Sequence, residues 1–128
     1  ELYVVGLGPK LPGLSRPDHA FAGVPERAPR VVFMHNPNSF PAIPPRDAPL
    51  AIAAHTHCGQ IALPGLPRWW YLELVFEERQ VVVDGFAPQA YGAPGNGLFV
   101  TCGIGFSFVP IRIGAPPQLV FFEFTRAP

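Results

Sequence analysis

Three histidines carry the clearest chemical signal in the sequence. His35 follows the apolar residues 31–34, and His55 and His57 follow the apolar residues 50–54. Because residues i and i+2 of an extended segment face the same side, the two later imidazoles can reach one ion, or splay toward two neighbouring ions where the segment becomes a loop. The three histidines together favour a metal site, whereas His-x-His alone is equally typical of a chance pair bonded to the backbone. His19 has no such company and is predicted to lie on the surface.

Two of the elements that position these histidines are predicted to be buried strands. Residues 30–34 and 50–54 are nearly continuous apolar runs, which is typical of strands covered on both faces. Residues 2–7 predict a further strand, and residues 16–22 predict a short helix with Pro17 in its first turn. Ligands of open α/β sheets bind at the carboxyl ends of strands. The sequence therefore places the histidines at one edge of a sheet.

From Gln60 onward the pattern predicts strands and turns, with no helix after Pro41. Short runs rich in β-branched and aromatic residues alternate with Pro and Gly, of which the chain has 18 and 13. The predicted strands are residues 61–63, 69–76, 80–84, 98–101, 106–113 and 119–124. The charged residues 77–79 are predicted to form a solvated hairpin tip between two of them.

Length and charge exclude several classes of protein. The chain has 128 residues, enough for a single folding unit, and its nine basic and nine acidic residues give zero formal charge. A broad basic footprint for nucleic acid is therefore missing. The apolar runs are shorter than the roughly 18 residues that cross a bilayer, so we expect a cytoplasmic or peripheral membrane location. Because Glu1 leads directly into a predicted strand, we expect the chain to be a piece of a longer protein.

Two cysteines are too few for a disulfide scaffold. We interpret Cys58 as a small apolar filler beside His57. The alternatives are a soft zinc ligand or a redox-sensitive thiol.

Five sequence blocks, in order, resemble a known family. They are VFMHNP at 32–37, LAIAAHTHCGQI at 50–61, LPG at 63–65, GIGFS at 103–107 and PIRIGAPP at 110–117. Together they resemble the C-terminal half of calcineurin-like metallophosphoesterases, in particular a bacterial, often membrane-associated subgroup with a Gly-His-Thr-His-Gly-Gly-Gln signature. The resemblance covers nearly the whole chain.

The resemblance implies a fold and an activity. Residues 1–128 would form a single unit, the β-rich C-terminal half of a four-layer αββα sandwich of the α/β class, with mixed or antiparallel strands and one or two short helices. The family holds two divalent ions, here expected to be Mn, Fe or Zn, and hydrolyses phosphomonoesters or phosphodiesters with a metal-activated water. By resemblance His35 and His55 bind one ion and His57 binds the other. Positions adjacent to the site would be Asn36, Cys58, Gly59 and Gln60.

The sequence also departs from the family pattern. Ala54 and Cys58 stand where the family has Gly, and Pro9 stands where an acidic residue is common. The earlier motifs Asp-x-His, Gly-Asp and Gly-Asn-His are absent, so the catalytic histidine and the bridging aspartate are expected in an N-terminal half that this chain lacks.

An estimate of charge repulsion leads to the same expectation. Two divalent ions about 3.5–4 Å apart repel by roughly 17–19 kcal/mol at an effective dielectric near 20. Neutral imidazoles do not offset this repulsion. The only aspartates are Asp18, Asp47 and Asp84, each predicted to be structural or solvated.

Two adjacent tryptophans suggest a contact surface, and two alternative functions fit the sequence. Trp69 and Trp70 follow Arg68, an arrangement that resembles an anchor at a membrane or a contact for a lipid-like phosphoester, although core packing explains it as well. One alternative function is a non-catalytic β-rich binding module. Another is a mononuclear three-histidine site like that of cupins, which the absence of any acid from Gly59 to Trp70 disfavours.

Overall fold

The computed structural model describes residues 1–11, 13–77, 79 and 82–125. Its strands are β1 (Tyr3–Gly6), β2 (Arg30–Phe33), β3 (Ala51–Ala53), β4 (Gly85–Phe86) and β5 (Leu98–Val100), and its α-helices are α1 (Pro17–Ala20) and α2 (Trp70–Phe76). Short 3-10 turns span Pro37–Ala42, His57–Gly59 and Gln89–Tyr91. Within the described residues, no helix has both the length and the apolar character needed to cross a bilayer.

The strands form one mixed sheet of order β1-β2-β3-β5-β4. Strands β1, β2, β3 and β5 are parallel, and β4 pairs antiparallel with β5. A mixed sheet with a few short helices is an α/β-type small fold, as predicted, although three of these four pairings are parallel. The carboxyl ends of β2, β3 and β5 therefore meet at one edge of the sheet.

The two faces of the sheet differ in how they are covered. On one face the side chains of β1, β2, β3 and β5 pack into the main core with Phe40 and Ile43. The opposite face carries an in-register row across all five strands, formed by Gly6, Phe33, Ile52, Phe99 and Phe86. Phe33 is 45% exposed and Phe86 is 73% exposed. Between them Ile52 is buried and Phe99 packs against Phe122, so this apolar face is open mainly at Phe33 and Phe86, and we call it the open face.

The strands next to the histidines are predicted correctly. Residues 2–7, 30–34, 50–54 and 98–101 contain β1, β2, β3 and β5, and residues 16–22 contain α1, each observed element being shorter than predicted. Their apolar runs specify buried strands because each is covered on at least one face by the main core.

The prediction of a strand at residues 69–76, with no helix after Pro41, is wrong. Residues 70–76 form α2, which buries Tyr71 and Leu72 and partly buries Val75 and Phe76 against Val83. Positions 71, 72, 75 and 76 lie on one face of a helix because they are three and four residues apart. This helical spacing outweighs the β propensity of the aromatic residues. Glu77 ends the helix with a left-handed backbone, so the predicted hairpin tip is also wrong, and Glu78 lies outside the described residues.

The remaining predicted strands form little regular structure. Residues 61–63 and 106–113 share a single parallel bridge between Ile61 and Ile113, and residues 119–124 form no strand. In the predicted strand 80–84, residues 82–84 are irregular, whereas Gln80 and Val81 lie outside the described residues. Residues 103–117, which we call the closing segment, are held by hydrogen bonds from side chains to the backbone, described below, and not by the backbone pairing of a sheet.

Candidate metal centre

His35 and His55 meet at the carboxyl ends of β2 and β3. The two strands are adjacent, and the amide of Ala54 donates to the carbonyl of His35 at 3.2 Å. As a result, Nε2 of His35 lies 3.0 Å from Nδ1 of His55, and the ring centroids are 4.7 Å apart. Two nitrogens that each lie 2.0–2.1 Å from one ion, at an angle of 90–110°, are about 2.9–3.4 Å apart. The rings share an N–H···N hydrogen bond, and the same spacing also fits two ligands of a shared cation.

His57 lies in the turn that follows β3. Its ring packs against the segment after β5, with Cε1 3.4 Å from the point where a Cβ on Gly105 would lie. Its Nδ1 is buried and is one of two buried side-chain polar atoms without a hydrogen-bond partner among the described residues. In residues 1–11, 13–77, 79 and 82–125, no three His, Cys, Asp or Glu side chains form a group that could hold a metal ion. The structure therefore pairs His35 with His55 and places His57 apart from that pair.

The environment of His57 favours its neutral form. Burial is the main cause that lowers the pKa of His57, followed by the positive charge of Arg112, and His35 acts in the same direction. A hydrogen bond between the His57 ring and the backbone of Cys102 acts in the opposite direction and raises the pKa. A neutral imidazole keeps the lone pair that a metal ligand needs.

The backbone around the histidines is strained. Five residues of this loop have φ in the left-handed region: His55 (64°), His57 (47°), Cys58 (55°), Gly59 (82°) and Gln60 (53°). Glycine adopts this region freely, whereas each of the other residues costs about 1–3 kcal/mol unless its surroundings hold it there. Such a run requires strong ties between the loop and the rest of the chain.

One tie is a disulfide between Cys58 and Cys102, whose Cα atoms are 4.6 Å apart. The interpretation of Cys58 as an apolar filler is wrong, and so is the alternative of a zinc ligand in this oxidised state. The bridge forms because β3 and β5 are adjacent and parallel, which brings residues that follow their carboxyl ends together. Forty-four residues separate the two cysteines in sequence, so their spacing alone gives no sign of this contact.

Gln60 provides a second tie and is fully buried. Its Nε2 donates to the carbonyls of Ser107 at 2.9 Å and Val109 at 3.1 Å, and its Oε1 accepts from the amide of Ser107 at 2.6 Å. The hydroxyl of Thr56, also fully buried, donates to the carbonyl of Val83 at 2.6 Å. Gln60 thus acts by fastening the loop to the closing segment, and its side chain does not face the histidines as a ligand.

Arg112 is a residue that sequence reasoning missed. Its guanidinium donates to six backbone carbonyls at 2.5–3.3 Å, those of His57, Cys102, Gly103, Gly105, Ala115 and Pro116. Burial lowers the pKa of Arg112. The available signal was a single cation in the otherwise uncharged block 110–117, which is typical of an arginine that organises backbone carbonyls.

Asn36 and Gly59 have structural roles near the site. The buried side chain of Asn36 accepts from the amide of Asn38 at 2.9 Å and caps the 3-10 turn that follows. A Cβ on Gly59 would lie 1.9 Å from the carbonyl oxygen of Arg68, so only glycine fits at this close approach of two backbones.

The two tryptophans pack into a second, smaller core. Both are half-buried and contact the cluster of Tyr71, Leu72 and Val83. The indole nitrogen of Trp70 donates to the carbonyl of Ile61 at 2.6 Å. The guanidinium of Arg79 lies 4.8 Å from the centre of the Trp69 ring. Packing accounts for these positions, and a membrane contact stays a prediction.

All three aspartates are paired with arginines, as their predicted structural role requires. Asp18 lies 2.6 Å from Arg16, Asp47 lies 3.2 Å from Arg30, and Asp84 lies 3.0 Å from Arg68. Each carboxylate thus has a cationic partner within this chain, and none bridges the histidines.

Comparisons with protein-family models, with curated proteins and with solved structures found no match for this chain. The functional argument accordingly depends on the residues and their geometry.

Proposed function

We propose that this chain supplies the histidine ligands of a dinuclear, metal-dependent phosphoesterase of the calcineurin-like type. The observation that supports this proposal is the grouping of the histidines into a pair and a third residue. His35 and His55 share a 3.0 Å contact between ring nitrogens, while His57 lies apart with a buried, unpartnered Nδ1. This division supports the arrangement that the resemblance implies, in which two histidines hold one ion and the third holds another.

The donor set fits divalent cations. All three donors are imidazole nitrogens, which suit iron or zinc, and manganese where carboxylates complete the shell. A buried polar atom without a partner is rare, and a cation or an ordered water at Nδ1 of His57 would satisfy it. When bound, the ions would lower the pKa of a coordinated water and stabilise charge on the attacked phosphoester.

The residues of this chain then have distinct tasks. The sheet positions the rings of His35 and His55, because these residues follow β2 and β3, which are joined by backbone hydrogen bonds. Arg112 holds the carbonyls of the loops around His57. Through its positive charge it also helps to keep His57 in the neutral form that can bind a cation.

The acidic ligands are expected from elsewhere, because the three aspartates are paired with arginines and, within the described residues, no Asp or Glu forms a metal-holding group with the histidines. We propose that the carboxylates and the catalytic histidine belong to a segment that precedes Glu1. The open face supports this proposal. Its exposed Phe33 and Phe86 are apolar side chains that a second sheet would bury, and each Å² of apolar surface removed from water contributes about 25 cal/mol.

The test compares two polypeptides in the manganese-dependent hydrolysis of bis-p-nitrophenyl phosphate. We expect the polypeptide translated from the native start codon to turn over the diester, and the 128-residue chain to show no turnover above background. His55→Ala in the longer polypeptide should abolish turnover, whereas His19→Ala, on an exposed side chain, should leave it unchanged. Turnover by the 128-residue chain alone, or equal activity of both variants, would contradict the proposal.

One observation favours the alternative of a non-catalytic module. In the described part of the chain no three metal-binding side chains form a group that could hold an ion. If the longer polypeptide neither binds manganese nor hydrolyses the diester, the binding module becomes the better description.

A further inference from the structure

The Cys58–Cys102 disulfide lies directly beside a candidate metal ligand. We propose that it is a thiol-exchange site: the oxidised form holds His57 in position for metal binding, and reduction by a dithiol releases His57 and weakens binding. The inference rests on the proposed function only in assigning His57 to a metal. These two are the only cysteines in this sequence.

The two sulfurs differ in access. Cys58 is fully buried, whereas Cys102 is partly exposed in an irregular segment that follows β5. A small reductant therefore approaches the bridge from the side of Cys102. Access to one sulfur without opening of the main core distinguishes this bridge from a disulfide enclosed in a core.

The bridge constrains the backbone that carries His57. His57 and Cys58 are consecutive, and both have left-handed φ values, 47° and 55°. An L-residue leaves this region unless its surroundings hold it there, and the bond to Cys102 holds Cys58. When the bond opens, Cys58 can relax and the ring of the adjacent His57 can shift, while Arg112 still holds the His57 carbonyl.

The other two histidines are fastened differently. His35 follows β2 directly, and its carbonyl accepts from the amide of Ala54 at the end of β3. These ties belong to the sheet and do not involve the disulfide. Reduction should therefore displace His57 while the contact between His35 and His55 persists.

The exchange is balanced in atoms and electrons. A thiolate of the dithiol attacks Sγ of Cys102, the bond between the two cysteines breaks, and the electron pair leaves on Sγ of Cys58, which takes up a proton. The second thiolate of the reductant then attacks the mixed disulfide, closes its own disulfide and releases Cys102 as a thiol. Two electrons pass from the dithiol to the protein.

A double-mutant cycle tests the link between the bridge and His57 in the polypeptide translated from the native start codon, which would carry the remaining ligands, with Zn²⁺ alone as the probe and calorimetry as the measurement. In the oxidised polypeptide, His57→Ala removes a ligand and should lower Zn²⁺ affinity by at least about 10–100-fold, the range caused by loss of an outer-shell partner of a ligand. In the Cys58→Ser/Cys102→Ser variant, the same change should have an effect of less than about twofold. His55→Ala is the matched control and should lower affinity by the same factor in both backgrounds.

The outcomes separate the two proposals. An equal effect of His57→Ala in both backgrounds would overturn the inference and leave the metal assignment intact. No effect of His57→Ala in the oxidised chain would overturn the assignment of His57 as a ligand, and with it the inference. If the double-serine variant does not fold, Cys58→Gly/Cys102→Ser replaces it, because glycine accepts a left-handed backbone.

Reduction of the unmodified chain provides the second test. Dithiothreitol is added without metal, and NMR signals of the His57 ring are compared with methyl signals of Val32 and Leu98 in the main core. We expect the His57 signals to shift while the methyl signals stay in place. Reduction that occurs only when the methyl signals also change, or a reduced chain with unshifted His57 signals, would overturn the proposal.

Discussion

Replacing Gln60 by leucine is expected to destabilise the chain strongly, because this side chain joins the histidine loop to the closing segment. The substitution keeps the approximate volume and removes three hydrogen bonds, at 2.6, 2.9 and 3.1 Å. Each such bond contributes about 1 kcal/mol net, so the free energy of unfolding should fall by about 3 kcal/mol. Because Gln60 is fully buried, water cannot replace the lost partners without opening the loop.

Urea unfolding of the wild-type and variant chains measures this change. With a slope of about 1–3 kcal/mol/M for a small protein, the midpoint should fall by roughly 1–3 M at an unchanged slope. Gln118→Leu is the matched control. Gln118 is exposed, and its Oε1 accepts from the hydroxyl of Thr101 at 3.2 Å and the amide of Cys102 at 3.1 Å, so its loss should cost less than about 1 kcal/mol. Equal shifts for the two variants would refute the role assigned to Gln60.

Two further perturbations test the same loop. Gly59→Ala should lower the free energy of unfolding, measured in urea, several times more than Gly65→Ala. Both glycines have left-handed φ values, but only a Cβ on Gly59 would meet a backbone oxygen, that of Arg68 at 1.9 Å. Equal losses of stability would contradict this close approach. The stability of the chain should also fall as pH falls below the ordinary histidine pKa of about 6.5, because the lowered pKa of His57 means that the unfolded chain takes up the proton first. His57→Asn should flatten this part of the profile in urea unfolding at a series of pH values, and an unchanged slope would refute the contribution of His57.

The sequence predicts the strands that carry the histidines because local signals specify them. Residues 30–34 and 50–54 are apolar runs of strand length, and the polar residue after each run must lie at a strand end. That His35 and His55 lie at the same edge of the sheet also follows, since parallel strands bring their carboxyl ends together. Their contact further requires β2 and β3 to be neighbours in the sheet.

Other features depend on contacts between distant segments. The bridge from Cys58 to Cys102 requires β5 to lie beside β3, an adjacency that the chain order does not reveal. The six carbonyls around Arg112 come from three separate stretches of chain. The helix at residues 70–76 has a local signal, because the spacing of Tyr71, Leu72 and Val75 is helical, but the β propensity of its aromatic residues predicts a strand.

The most direct test of the metal site uses the four histidines of the chain as their own controls. Mn²⁺ is titrated into the polypeptide translated from the native start codon, labelled with ¹⁵N at histidine, and the broadening of these four ring signals is followed by NMR. The account predicts early broadening of the His35, His55 and His57 rings, with His19, exposed on α1 beside Asp18, affected only at much higher concentrations. Equal broadening of all four rings, or none at the three site histidines, would contradict the claim that they bind divalent cations.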